Sequence, residues 1–243
     1  MQFKIRTSVK YFIIIVLFAA SASNAQFNEK RFSIGLNGVY TTTAEIYLNP
    51  NSSDPILRNN AFEISDIFNP ALDIRYRITD DIILGISTEY MKASASGPNL
   101  TAFLGNSTIT INTNDGFLLI PVEISGYYIL PFSTEKFKFL MGGGAGIYYG
   151  NQTREFGNAS VHNVNRDFSY GIQVSVSADY LIRNNLTVHS EMKFRDPQFK
   201  VESGYDKLEI NYNDETVILA QRTFNSKIDV NGVTFILGFS FLF

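Results

Sequence analysis

Charged side chains recur at every second position in several stretches of this chain. Asp73, Arg75 and Arg77 form one series, and His189, Glu191, Lys193 and Arg195 form another. Glu89, Glu123, Lys138 and Asp179 occupy equivalent places in further stretches. Side chains two residues apart on an extended strand share a face, so each series lines one surface. Two chemistries suit such a surface: a salt-bridged polar filling, or a charged path for ions or small solutes. Acidic Asp73, Glu89, Glu123, Asp179 and Glu191 stand against basic Arg75, Arg77, Lys138, Lys193 and Arg195, so the signs balance. A buried charge without a partner is very costly. The balance therefore favours the filling over the path.

His189-Ser190-Glu191 also invites a hydrolase reading. Strand alternation defeats it, because His189 and Glu191 share one face while Ser190 takes the other. His162 lies in an Asn-rich segment and reads as a solvated residue. With two histidines and no cysteine, a transition-metal site is not expected, and neither is a cofactor or a catalytic residue. Gly142-Gly143-Gly144-Ala145-Gly146 lacks the Lys-Ser/Thr that completes a phosphate loop and stands between strand-forming aromatics. Glycines in a strand leave room for bulky neighbours such as Arg or Tyr.

The elements that must position these residues are strands with one apolar and one mixed face. The last runs through Val233, Phe235, Leu237, Phe239, Phe241 and Phe243, with Thr234, Gly238 and Ser240 between them. The spacing predicts seven more, over 31–43, 69–79, 82–92, 116–130, 137–150, 167–182 and from Leu186. In each, polar, small or charged residues fall opposite the apolar series, and the charged series above lie on that face. Short turns are expected at 79–81, 131–136 and 183–185, and long polar loops at 44–68, 93–115, 151–166 and 197–226. Thr108 to Ile111 reads as a strand extension. Lys207–Tyr212 and Thr216–Gln221 read as an external hairpin, with two further membrane strands as the alternative. Aromatics near strand ends (Phe32, Tyr40, Tyr76, Tyr90, Phe117, Tyr128, Tyr149, Phe168 and Tyr180) suit interfacial girdles.

The start of the chain gives an address. Lys4, Arg6 and Lys10 precede an uncharged apolar run, Tyr11–Ala20, and then Ser21-Ala22-Ser23-Asn24-Ala25. That order is a cleavable export signal over 1–25, and the apolar run is too short to span ~30 Å of hydrocarbon. Of 20 basic and 23 acidic residues, cleavage removes three basic ones, leaving 17 against 23 and a charge near −6. That balance does not suit nucleic acid. An exported chain of alternating strands can enter a bilayer only as a closed barrel, because every backbone polar group there must be paired. The expectation is therefore all-β: one transmembrane antiparallel up-and-down β-barrel over 26–243, of eight strands, with ten as the alternative. Alternating long and short connections place both ends of the barrel domain on the periplasmic side.

Ile120-Pro121-Val122-Glu123-Ile124 through Tyr127-Tyr128, followed by Phe137-Lys138-Phe139-Leu140-Met141 and the glycine run, resembles the outer-membrane β-barrel domain family of OmpA/OmpX-like proteins. The resemblance extends over 26–243 and includes a C-terminal assembly signal at Phe239, Phe241 and Phe243. It implies residence in the outer membrane of a Gram-negative-type bacterium. The implied partners are membrane lipid and lipopolysaccharide, the barrel-assembly machinery through the C-terminal strand, and an unidentified surface partner. A cell-wall-binding domain of the OmpA kind is not expected. The motifs carry over a fold and no catalytic residues. A structural or surface-interaction role through long external loops is expected, with a small pore or hydrophobic-solute conduit as the alternative and a lipid-modifying enzyme behind both.

Overall fold

The computed structural model describes residues 30–243 apart from 160, 167 and 214; the export signal expected over 1–25 lies outside the described residues. The described strands are β1 (Phe32–Tyr47), β2 (Ala61–Arg77), β3 (Ile82–Glu89), β4 (Met91–Leu104), β5 (Ser107–Ile129), β6 (Phe137–Glu155) and β7 (Val161–Arg166). After them come β8 (Ser169–Arg183), β9 (Leu186–Arg195), β10 (Gln198–Tyr205), β11 (Glu209–Tyr212), β12 (Glu215–Leu219), β13 (Thr223–Asp229) and β14 (Val233–Leu242). Among the described residues there is a single short helix, α1 (Pro55–Arg58), capped by Asp54 accepting from the Ile56 N–H.

Eight of these strands close a ring in the order β1, β2, β3, β5, β6, β8, β9 and β14, each antiparallel to its neighbours. The closing pair runs from Ser33↔Leu242 to Thr41↔Thr234. Closure removes the free edges that hydrocarbon would not tolerate. The outer wall exposes an apolar band: Ile172 is 76 % exposed, Leu237 63 % and Ile124 60 %. Water would oppose so large an apolar surface, and lipid accepts it. At the band's edges stand Tyr40, with the rings of Phe68 and Phe235 against it, on one side and Phe132, Phe137 and Phe139 on the other.

The short turns all lie at one end of the barrel. In the first, the Thr79 hydroxyl accepts from the Asp81 and Ile82 N–H groups. The other end differs from expectation. The segments 44–68, 93–115, 151–166 and 197–226 are largely strand, because the ladder continues past the apolar band and builds a crown. β5 carries on to Ser107 against β4, and β6 to Glu155 against β5. β13 pairs with β1 and β10, and β7 with β10. The hairpin β11–β12 sits outside the ring and pairs with the tip of β4 through Ile218↔Phe103. Phe117 is a second correction. It continues the inward parity of Leu119 and Pro121 and is fully buried, so it belongs to the interior and not to a girdle.

One seam interrupts the wall. Thr88↔Val122 and Met91↔Leu119 are in step, so β3 and β4 are one strand broken at Tyr90. Two prolines flank this break: the Tyr90 N–H donates to the Pro70 carbonyl of β2, while Pro121 of β5 lies across from the preceding residue, Glu89. Proline has no N–H to return. Beyond this point β2 pairs with β1, while β4 pairs with β5 and β12.

Candidate functional site

Inside the band, the charged series converge as a lock across the lumen. Asn37 donates to Asp73 at 2.6 Å, and Asp73 accepts from Arg75 Nε at 3.1 Å. Arg75 Nη2 reaches Glu191 and His189 Nε2, both at 3.0 Å, while its guanidinium lies 4.6 Å from the centre of the Tyr127 ring. His189 bonds Asp179 through Nδ1 at 2.5 Å and lies 3.1 Å from Glu191 through Nε2. Arg195 forks onto Glu89 at 2.8 and 2.9 Å and touches Glu123 at 3.3 Å. Glu123 also accepts from Lys193 at 2.7 Å and from the Tyr148 hydroxyl at 3.0 Å. Asn69 donates to Glu89 at 3.0 Å.

Toward the turn end, Arg77 Nη2 donates to the Lys30 carbonyl, and half-buried Lys138 stands in register with Asp179. Ser190 faces outward on the far side of the wall from His189. Phe239 and Phe241 face outward from β14. Phe243 lies just past it, with its ring 6.1 Å from that of Phe32. Alternation positions the charged side chains, and the glycines make room for the large ones between them. A Cβ on Gly142 would stand 2.4 Å from the Tyr127 ring, and one on Gly171 would stand 2.9 Å from the Tyr148 ring. The cavity left among Asp73, Arg75, Tyr127, His189 and Lys193 is only about 10 Å³, roughly the room one water needs.

Above the lock, the interior turns apolar. Ile46, Ile64, Ile67, Met91, Phe117, Leu119, Phe199, Val201 and Ile228 pack together across the lumen, with Phe62 of β2 against them. Phe62 also reaches across the seam, since a Cβ on Gly97 of β4 would lie 2.7 Å from its ring. Higher still, in the crown, lies a second ionic layer that strand-by-strand reading passed over. Arg154 Nε bonds Asp115 at 2.6 Å, and Arg154 Nη1 donates to the Tyr205 hydroxyl at 2.8 Å. Asp115 also accepts from Thr113 and Asn99. Parity could have found this pair: Asp115 is in step with Phe117 and Leu119, and Arg154 with Gln152 and Tyr148.

Among the shifted titratable groups of the crown are Asp229 and Tyr47. Burial, then the neighbouring Asp196, pushes the Asp229 carboxyl up to about 6, with Lys227 opposing. The hydrogen bond from Tyr47 to Glu45, helped by burial, pushes that phenol up to about 12.

No family model matches the sequence, and no curated protein matches it. Solved structures do. OprG from Pseudomonas aeruginosa matches over 88 % of this chain and 96 % of its own, with a TM-score of 0.59 and 13 % identity. Ail, the attachment invasion locus protein of Yersinia pestis, matches over 88 % and 99 % at TM-score 0.44 and 10 % identity. Neisserial surface protein A matches over 87 % and 97 % at TM-score 0.44 and 13 % identity. Closed ring, apolar band, polar interior and the likeness to OprG together define the fold of a small outer-membrane β-barrel.

Proposed function

We propose that this barrel is sealed within the membrane and works through its crown, by recognition at the cell surface of a Gram-negative-type bacterium. Short turns then face the periplasm and the crown faces outward, the usual arrangement of such barrels. The observation that carries the reading is the filled lumen. Glu89, Glu123, Lys193 and Arg195 are at most 4 % exposed and bond to one another across the ring. A barrel of eight strands has an interior its side chains can fill. Phe239, Phe241 and Phe243 would serve export as the assembly signal, with membrane lipid and lipopolysaccharide around the band. Planar-bilayer conductance of the refolded barrel tests the seal. The native protein should be silent, and a variant with Arg75→Ser and Arg77→Ser should leak. Steady conduction by the native protein would overturn the reading.

A second reading, a conduit for apolar solutes, is favoured by the seam. Apolar side chains line the interior above the lock, and the ladder between β2 and β4 is open at the edge of the membrane band. An apolar molecule entering the crown could leave sideways past Phe62 without crossing the charges. Uptake of a fluorescent fatty acid by vesicles containing the barrel should then rise in Phe62→Ala. Uptake equal to that of empty vesicles sinks the conduit.

A further inference from the structure

Arg154 lines a cavity of about 460 Å³ in the crown, bounded by the turn after β1, the middle of β4, the end of β12 and the start of β13. The volume lies in the range of small-ligand pockets. We propose that this cavity binds a small hydroxylated carboxylate, of the hexuronic acid class, with Arg154 meeting its carboxylate. The proposal rests on the outward-facing crown and deepens it by naming a ligand class.

The anchor is an arginine with capacity left over. Arg154 is 5 % exposed, yet its Nη2 makes no hydrogen bond. Its Nε is held by Asp115, its Nη1 donates to Tyr205, and the guanidinium lies 4.5 Å from the centre of the Phe224 ring. Asp115, by contrast, is well supplied: one oxygen takes Arg154 and the other takes both Thr113 and Asn99. So the pair has spare donors and little spare acceptor capacity. Donors left unmet in a buried layer favour an incoming acceptor, and a carboxylate gives the strongest, charge-assisted bond.

The rest of the lining defines what else the ligand carries. Arg154 is the one charged residue among those bounding the cavity. An ammonium group would find no carboxylate there, and a multiply charged anion would find one cation already shared with Asp115. Asn49, Asn51, Asn99, Gln221 and Asn225 instead offer amides, which both donate and accept. Hydroxyl groups do the same, so a ring of hydroxyls can satisfy such a wall. Leu48, Leu100 and Leu219 supply apolar surface for a sugar's C–H face.

Three matched sugars separate these features. Binding of glucuronate, glucose and glucosamine to the refolded full-length barrel is measured by isothermal titration, beside its conductance. Glucuronate should bind at least about tenfold tighter than the other two, and Arg154→Gln should lose about tenfold or more for glucuronate alone. Because Arg154→Gln can loosen the crown, Ala220→Trp serves as a second variant. It fills the cavity from its rim, leaves the Arg154–Asp115 pair intact and should abolish binding. Equal binding of all three sugars, no glucuronate binding at millimolar concentration, or full binding by Ala220→Trp overturns the proposal. A silent barrel that fails to bind glucuronate overturns this inference only, whereas a conducting native barrel overturns the sealed reading beneath it.

Discussion

The lock and the crown layer use the same chemistry in different amounts of space. Both join buried arginines to carboxylates with a tyrosine alongside: Arg195 with Glu89, Glu123 and Tyr148 below, Arg154 with Asp115 and Tyr205 above. Both leave some arginine atoms without a partner, Arg75 Nη1 in one and Arg154 Nη2 in the other. In the lock the space beside the charges is about 10 Å³, whereas beside Arg154 it is about 460 Å³. A spare donor in a filled interior reaches at most a water. A spare donor beside an open cavity reaches a ligand. The contrast teaches that surrounding volume, more than the ion pair itself, separates a structural ionic layer from a recognition site.

Removing one partner from each layer tests that contrast most strongly. Arg195→Met leaves Glu123 with Lys193 but takes from Glu89 its one described cation, leaving only Asn69 donating to it in the band, where breaking a buried pair costs about 3–5 kcal/mol. Its midpoint for urea unfolding in lipid vesicles should fall sharply, and the barrel should leak. Arg154→Met leaves Asp115 with Thr113 and Asn99 still donating. Here the loss should be about 1–3 kcal/mol and confined to the crown, read as faster proteolysis within 151–166 and 197–226 with an unchanged barrel midpoint. Equal global destabilisation by the two would erase the distinction between the layers.

Glycines sharpen the same contrast at smaller cost. Gly142→Ala drives a methyl group to 2.4 Å from the Tyr127 ring, inside the filled lock. Overpacking of this kind costs about 1–3 kcal/mol, and Tyr127→Ala should recover part of it in the double variant. Gly105, between β4 and β5, has φ +58° with nothing within 4 Å of an added Cβ. Gly105→Ala meets backbone strain alone and should cost about 1 kcal/mol, visible only in crown proteolysis. A larger effect at Gly105 than at Gly142 would mean that the crown, not the lock, is the tightly packed part.

The sequence exposed the barrel and hid the crown for one physical reason. In the band, lipid demands large apolar residues on one face, so Tyr170, Ile172, Val174 and Val176 alternate sharply with Ser175 and Ser177. No such demand acts on the crown. In β4, small and polar residues follow one another through Ala93-Ser94-Ala95-Ser96-Gly97-Pro98, and the alternation loses its amplitude while the ladder persists. Parity also slips at Asp66, whose φ is 57°: with the β1–β2 register unchanged, the buried set on β1 changes from Val39 and Thr41 to Ala44 and Ile46, and on β2 from Ile67 to Ile64. The charged series of the lock were legible because two-residue spacing shows them within single strands. Arg154 and Asp115 are 39 positions apart on different strands, and their meeting appears only when inward parity is carried beyond the membrane.

The smallest effect concerns pH and separates the two regions again. Asp229, at the end of β13, has a folded-state pKa raised to about 6 from the ordinary 3.8 by burial and by Asp196. The fold therefore favours the protonated acid. Its contribution to stability is complete below about 4 and is lost as pH rises through about 6. After allowance for solvent screening the difference is about 1 kcal/mol. Because Asp229 pairs with Glu45 of β1 and Gln198 of β10, the loss belongs to the crown ladder. Amide exchange in β13 and β10 should slow about fivefold between pH 7 and pH 5, once corrected for intrinsic rates, while β14 stays unchanged. Asp229→Asn keeps the neutral shape and should hold the slow rate across that range. A native crown insensitive to pH would refute the Asp229 linkage, and an equal response in β14 would show that the two parts open as one cooperative unit.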